Sequence, residues 1–311
     1  MDHRLLISIC HMYYEKNMSQ QQIANSTGLS RMKISRSLQK AKDLGIVKII
    51  IDYSGAFLEL EKGLKDKYGL KNAIVVDNQS GEDSKKQVQS AAALCLQDKL
   101  FKGATVAVGW GTTLRETCKY MQPLKTKDVL FASIIGGHSI SMPHVHSSSI
   151  ASEMAHKTEG KSISINAPAL VQSQMERETF LNDSSISTVI QRTAEADIAF
   201  FSLGNPMFTS SSIHKVEYFS KSDLSEMEKN NAVCDLVSIA FLNSDGQECC
   251  SSISNRSIGI DKEALFNIPI KICVVEGKEK HASTLAALKA GYIDILVTDK
   301  ETAEYLANHS S

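Results

Sequence analysis

The chain has 311 residues, 42% of them hydrophobic and 22% charged, which is enough apolar material for one or two buried cores and excludes a disordered chain. Its formal charge of −1 hides an asymmetry: residues 1–52 carry eight Lys/Arg against four acids, a net +4, whereas the rest is net −5. The longest apolar runs, such as Ile49–Ile51 and Ile198–Phe201, fall far short of the roughly 18–20 residues that cross a bilayer, so no membrane partner is expected.

In chain order, Leu5, Leu6, Ile9, Met12 and Tyr13 repeat at helical spacing and predict a first helix over Arg4–Lys16. The apolar stretch Leu5–Cys10 is too short for a secretory segment and lacks a small-residue cleavage pattern, which points to a cytoplasmic protein. Ser19 is placed to cap a second helix that Gly28 ends, and Ser30 to cap a third that reaches about Leu44. Ala24, Gly28 and Ile34 have the spacing of a helix-turn-helix. A small residue allows close approach, glycine accepts the positive φ of the turn, and a β-branched residue fills the gap. Residues 46–52 read as the strand of a small wing. A third helix of this kind enters the major groove, with Ser30, Arg31, Met32, Lys33, Ser35 and Arg36 near the DNA and Gln20, Gln21 and Lys40 holding phosphates. The competing reading is a winged helix used only for protein contacts, its basic residues a solvated face.

Beyond Tyr53-Ser54-Gly55, an amphipathic segment over Phe57–Tyr68 suggests a linker helix able to pair with a copy of itself. Short apolar runs then alternate with helical patterns. The runs cover 73–76, 105–108, 129–135, 162–165, 198–203, 236–242, 270–275 and 293–297, and together predict a mostly parallel sheet covered on both faces, a Rossmann-like α/β domain. Ligands of such sheets bind beyond the carboxyl ends of the strands. Gly109-Trp110-Gly111-Thr112-Thr113 follows the second run directly and opens a helix, so its backbone N–H groups and threonine hydroxyls suit a phosphate. A plain strand-to-helix turn with a threonine cap is the alternative. The loop lacks the lysine of a nucleotide-hydrolysing P-loop.

Other constellations carry less. His138, His144, His146 and His156 crowd one stretch, but with only Glu153 to join them no metal site is expected. No lysine lies between Asp128 and His156, which disfavours a Schiff base from that segment. Cys249-Cys250, beside an Asp245-Gly246 turn, read as a hairpin edge, and all seven cysteines as reduced thiols. Met175–Phe180 and Met227 read as core.

One ordered set of segments runs almost the length of the chain. It comprises Met18-Ser19-Gln20-Gln21-Gln22-Ile23-Ala24 through Ser30-Arg31, Val108-Gly109-Trp110-Gly111-Thr112-Thr113, Ile135-Gly136-Gly137 and Asn166-Ala167-Pro168-Ala169. It continues with Ala196-Asp197-Ile198-Ala199, Leu203-Gly204, Ala232-Val233-Cys234-Asp235, Gly277-Lys278-Glu279-Lys280, Ala286-Ala287-Leu288 and Ile295-Leu296-Val297-Thr298-Asp299. In these segments the chain resembles bacterial transcriptional regulators of the SorC type, the SorC/DeoR sugar-binding family. The resemblance implies a winged helix-turn-helix over 1–53, a linker helix over 54–70, and an effector domain over 71–311 similar to sugar-phosphate isomerases and CoA transferases. It also implies dimers or tetramers on double-stranded operator DNA. The effector residues it implies are Gly109, Trp110, Gly111, Thr112, Thr113, Gly136, Gly137, Asp235 and Lys280, with Lys280 on a phosphate and Asp235 on sugar hydroxyls. Asn231 and Cys234 depart from the family, which has glycines there.

The function expected is therefore a regulator of a carbohydrate-utilisation operon controlled by a phosphorylated sugar, without cofactor or metal. Two alternatives are a sugar-phosphate isomerase or deaminase using Asp235 and Glu276 as base and acid, and a DNA-binding protein whose pocket is vestigial.

Overall fold

The computed structural model describes residues 3–47, 57–77, 82–124, 128–138, 142–209, 211–215 and 218–309. The chain divides into two compact units, residues 1–54 and 55–311. In the first, α1 (His3–Cys10) runs on into a π turn over His11–Glu15, followed by α2 (Gln20–Thr27) and α3 (Arg31–Asp43). Ser19 and Gln22 form a reciprocal capping box at the start of α2: the Ser19 hydroxyl accepts from the Gln22 N–H, and the Gln22 side chain accepts from the Ser19 N–H at 2.8 Å. Gly28 closes the helix at φ 72°, and the Ser30 hydroxyl accepts from the Lys33 N–H to start α3. Ile9, Cys10, Ile23, Ala24, Ile34, Leu38 and Ala41 form the core of this unit, with Ile46 and Val47 packed at its edge. The remainder of the expected wing strand, 48–52, and the segment 53–56 lie outside the described residues.

The second unit opens with α4 (Leu58–Tyr68), β1 (Asn72–Val76), α5 (Glu82–Lys99), β2 (Thr105–Val108), α6 (Thr112–Thr117), β3 (Leu130–Ser133), α7 (Ser147–Thr158) and β4 (Lys161–Ile163). It continues through α8 (Gln174–Leu181), α9 (Ser184–Ala194), β5 (Ile198–Phe201), α10 (Ser212–Lys215), α11 (Lys221–Lys229), β6 (Cys234–Leu236), β7 (Ala240–Leu242) and β8 (Glu248–Cys249). The last elements are α12 (Ser251–Ser254), α13 (Lys262–Asn267), β9 (Ile270–Val274), α14 (His281–Lys289), β10 (Ile295–Asp299) and α15 (Lys300–Asn308).

Seven strands form one all-parallel sheet in the order β1-β10-β9-β5-β2-β3-β4. Side chains alternate across it. Val106, Val108, Ile198, Phe200, Ile295 and Val297 face α5, α6 and α7, whereas Ala107, Ala199, Phe201 and Leu296 share the opposite core with Leu64 of α4, Ala286–Leu288 of α14, and Ala303 and Leu306 of α15. From β2 the chain winds outward through β3 to β4, then returns to β5 on the other side of β2 and winds through β9 and β10 the opposite way. Neighbouring strands β2 and β5 thus flank a topological switch point, where their carboxyl ends diverge to leave a crevice. The expected linker helix α4 packs on β1 and α15, where Lys67 Nζ donates to the carbonyls of Leu306, Ala307 and His309.

Two expectations fail. The run Leu236–Leu242 is not one strand but the hairpin of β6 and β7, the start of a three-stranded antiparallel sheet completed by β8. Val237 and Ser238 both take positive φ, 55° and 61°, without the glycine or asparagine such a turn normally uses. The turn is held because the Ser238 N–H donates to Asp235 Oδ1 at 2.6 Å and the Ile239 N–H to the Leu236 carbonyl at 3.1 Å. Met175 is not core: it is 78% exposed on α8, which buries none of its residues, whereas Met227 is buried. Cys249 lies on the hairpin edge opposite Phe241, and the seven cysteines are free thiols.

Candidate functional site

A cavity of about 160 Å³ lies at the switch point. Its walls come from the loops after three parallel strands, β2 (Trp110, Gly111, Thr112, Thr113), β5 (Ser202, Leu203, Gly204, Asn205) and β9 (Glu276, Glu279, Lys280), and from the β6–β7 turn (Asp235, Val237). Lys85 of α5, Phe208, Ser211, Ile213 and Lys215 complete the lining.

The loop after β2 is shaped by its glycines for different reasons. A Cβ on Gly109 would stand 2.9 Å from the Cβ of Phe201, so only glycine lets the loop leave the sheet there. Gly111 takes φ 118° with open space around it, and its N–H donates to the Val145 carbonyl at 2.9 Å. Thr112 and Thr113 then open α6.

Lys280 lines the cavity together with Lys85 and Lys215. Its ammonium donates to Thr113 Oγ1 at 3.1 Å and Ser202 Oγ at 2.8 Å, both neutral acceptors. Burial lowers its pKa from the ordinary lysine value, and nearby Glu276 opposes that shift. The strand-to-helix loop that carries both residues is anchored from behind: the Gly277 N–H donates to Asp299 Oδ2 at 2.7 Å, and Asp299 also caps α15 through Thr302. Asn205 Nδ2 fastens the loop after β5 to it through the Glu279 carbonyl at 3.0 Å.

Asp235 is buried on β6. Its backbone pairs with Gly204 in both directions, and a Cβ on Gly204 would come within 3.0 Å of Asp235 Oδ2, so the glycine admits the carboxyl. Burial raises the carboxyl pKa to about 7, while the bond from the Ser238 N–H pulls it down. The strained Val237–Ser238 turn therefore presents an acid that protonates near neutrality. Asn231 takes φ 50°, which asparagine tolerates, and Cys234 is buried in strand β6.

The cavity brings together Trp110, Gly111, Thr112, Thr113, Asp235 and Lys280. Gly109, Gly136 and Gly137 do not line it. Gly136 sits where a Cβ would strike the carbonyls of Ala167 and Pro168, and Gly137 exchanges backbone hydrogen bonds with Ala167 and Ala169. Lys85, Ser202, Asn205 and Lys215 were missed by motif reading. The position of Ser202 and Asn205 directly after β5 is the signal that finds them. Trp110 lies against His138, the rings tilted by 33° with centroids 4.0 Å apart, and His138 Nε2 meets Ser238 Oγ at 3.3 Å. Burial pushes the His138 pKa down to about 3, so this ring is neutral. His144 and His156 are exposed apart from it, and no metal-binding group of three ligands occurs among the described residues.

On the first unit, Arg31, Met32, Lys33, Ser35, Arg36, Gln39 and Lys40 are exposed on one side of α3, while Ile34, Ser37, Leu38 and Ala41 are buried on the other. Gln21 is exposed on α2 and bonded to Asn25, and Gln20 is half-buried. Ser30 is exposed, with its hydroxyl engaged in the α3 cap. Arg31, Lys33, Arg36, Lys40 and Lys42, the basic side chains of α3, are thus all exposed away from its core side.

Residues 54–308 match the sequence profile of the family described as "Putative sugar-binding domain". The chain is 29% identical over 310 residues to the sorbitol operon regulator of Klebsiella pneumoniae, covering 98% of both chains. It is 29% identical over 308 residues to the deoxyribonucleoside regulator of Bacillus subtilis, covering 98% of this chain and 97% of that one. The crystal structure of the full-length K. pneumoniae sorbitol operon regulator SorC matches at TM-score 0.76 and 28% identity over 99% of each chain. A DeoR family transcriptional regulator from Listeria monocytogenes matches at TM-score 0.74 and 29% identity, over 81% of this chain and 99% of that one. With a helix-turn-helix in front of a sugar-binding domain, this chain belongs to the SorC-type family and is a DNA-binding transcriptional regulator, not an enzyme.

Proposed function

We propose that the chain regulates a carbohydrate-utilisation operon in the cytoplasm and that its effector is a phosphorylated sugar or polyol. The observation that carries this reading is the Lys280 ammonium, held between the Thr113 and Ser202 hydroxyls inside a cavity that Asp235 also lines. A lysine is a point charge suited to a phosphate, and a carboxylate accepts from hydroxyl donors, so the two together call for a ligand with an anionic end and a hydroxylated chain. Gly111, Thr112, Thr113 and Lys280 hold the phosphate in this reading, and Asp235 the hydroxyls. Trp110 forms a wall, and Gly109, Gly136 and Gly137 act through packing.

On the other unit, Ser30, Arg31, Met32, Lys33, Ser35 and Arg36 meet the major groove of operator DNA, and Gln20, Gln21 and Lys40 hold phosphates. The active species is a homodimer or homotetramer. Effector and operator are coupled because each favours one arrangement of that assembly over another. The test is a thermal-shift screen against phosphorylated sugars, polyols and amino sugars, followed by a mobility-shift assay on the operator. A compound that raises the melting temperature should alter operator binding, and Lys280→Ala or Thr112→Ala should abolish both effects. If no phosphorylated compound shifts melting, the effector half of the reading fails.

A further inference from the structure

The outward face of α3 in the first unit is ordered, with an apolar side chain at its centre. Ile34, Ser37, Leu38 and Ala41 are buried, and Met32, Ser35, Arg36 and Gln39 repeat the same spacing two residues earlier, all exposed. At about 100° per residue that offset turns the second stripe roughly 160° away from the first, so it is the line of the helix farthest from the core. Around the helix axis Arg31 and Lys42 flank this stripe on one side and Lys33 and Lys40 on the other, all four exposed. On the stripe, at the second position of α3, stands Met32, which is 65% exposed, more than any other large apolar side chain among the described residues of this unit. Met32 takes no part in the core formed by Ile9, Ile23, Ile34 and Leu38.

A major groove that takes this helix surrounds the Met32 side chain with base edges. Those edges present hydrogen-bond donors and acceptors, and the one methyl group among them is the C5 methyl of thymine. A thioether is at best a weak acceptor, so the methyl is the partner it can use. An apolar protein surface laid on the same stripe would strip water from the four flanking cations, whereas the phosphate walls of a groove neutralise them. We propose that Met32 is a specificity-determining residue that recognises a thymine of the operator through its C5 methyl. The inference rests on the reading of α3 as the groove helix and deepens it. Met32 lies in the first turn, the end of a recognition helix that reaches base edges, and its long unbranched chain extends past neighbouring Ser35. Because it carries no charge, it decides which sequence is bound and leaves the salt dependence of binding to the basic residues.

The test uses the full chain. The wild type selects duplexes from a random library, and its affinity for the selected duplex is measured by fluorescence anisotropy with each thymine replaced in turn by deoxyuridine. That exchange removes the methyl and keeps every hydrogen-bonding group of the base pair. At one thymine position it should weaken wild-type binding about fourfold for each methyl removed. In Met32→Gln, which keeps the length of the side chain, and in Met32→Ser, which does not, the same exchange should change binding by less than about 1.5-fold. Exchanges at the other thymines should act equally on all three proteins. Both variants should keep the wild-type melting temperature and salt slope, because the side chain is exposed and uncharged. If every exchange acts equally on wild type and variants, the role of Met32 is overturned, and the groove reading stands so long as charge reversal at Arg31 and Arg36 abolishes binding. If the wild type selects no sequence, or that charge reversal leaves binding intact, the groove reading and the role of Met32 fall together.

Discussion

The buried acid of the cavity makes a quantitative prediction through Asp235→Asn. Burial raises the Asp235 carboxyl from its ordinary 3.8 to about 7. In the unfolded chain the proton leaves near 3.8, so between about pH 4 and 7 the folded protein holds a proton that the unfolded chain has lost. Stability therefore falls as pH rises through that window. Below it the group contributes nothing, and above it the full loss persists. Between pH 5 and 8 about two of the roughly three pH units remain to be crossed, which at about 1.4 kcal/mol each amounts to about 3 kcal/mol. This is a ceiling, because the carboxyl borders a cavity open to water. Asparagine keeps an acceptor for the Ser238 N–H and cannot ionise. Its amide adds an offset that does not vary with pH, so the informative quantity is the change in the difference between the two proteins. Calorimetric melting of ligand-free wild type and variant from pH 5 to 8 should show the variant gaining on the wild type, by up to roughly 5–10 °C across the range. A difference that stays flat with pH, or that moves in favour of the wild type, would refute the assignment of a neutral buried acid.

The same acid sets the pH dependence of binding: a ligand hydroxyl favours the ionised carboxylate, so effector affinity in titrations should rise as pH passes about 7, and the Asn variant should lose that rise. His138 acts on the other side. It stays neutral to about pH 3 while an unfolded histidine protonates below 6.5, so its contribution to stability is lost as pH falls from 6.5; His138→Phe should flatten the acid limb of the melting curve. Charge reversal at Arg31 and Arg36 should abolish operator binding in fluorescence anisotropy and leave the melting response to effector intact. Neutralising one of them should lower the salt slope by about one. Asp294→Ala removes the partner of buried Lys271, whose ammonium lies 2.8 Å from the Asp294 carboxylate, and should cost roughly 3–5 kcal/mol in urea unfolding. Gly109→Ala should cost roughly 1–3 kcal/mol in the same assay, because its Cβ would meet Phe201 at 2.9 Å.

Where local chemistry decides the backbone, the sequence was readable. Ser19, Gly28 and Ser30 act at the positions their side chains suggest, because capping and positive φ are settled within four residues. The parallel strands were visible as continuous apolar runs because both faces of each are covered. The G-x-G-T-T loop was found because it directly follows β2. The Val237–Ser238 turn was hidden for a physical reason: neither residue prefers positive φ, and the conformation is imposed by the hairpin pairing and by Asp235, three residues away on the other side of the turn. Met175 was misplaced because apolar residue type alone does not say whether a helix lies inside or outside the packed layers. Ser202 and Asn205 could be found from their position directly after β5, but that their loop shares a cavity with those after β2 and β9 depends on the strand order, which no local pattern announces. Glu276 entered the sequence reading only as the partner of Asp235 in the alternative enzyme, and its place in the cavity follows from the fold.

A groove-reading head joined in one chain to a cavity for a small phosphorylated ligand should couple the binding of the two. Operator affinity, measured by anisotropy with and without the sugar phosphate that most raises the melting temperature, tests it most directly. In the wild type the two constants should differ by at least about fivefold, and in Lys280→Ala they should coincide while ligand-free operator affinity is kept. Equal operator affinity in the wild type with and without a ligand that demonstrably binds the cavity would contradict the claim.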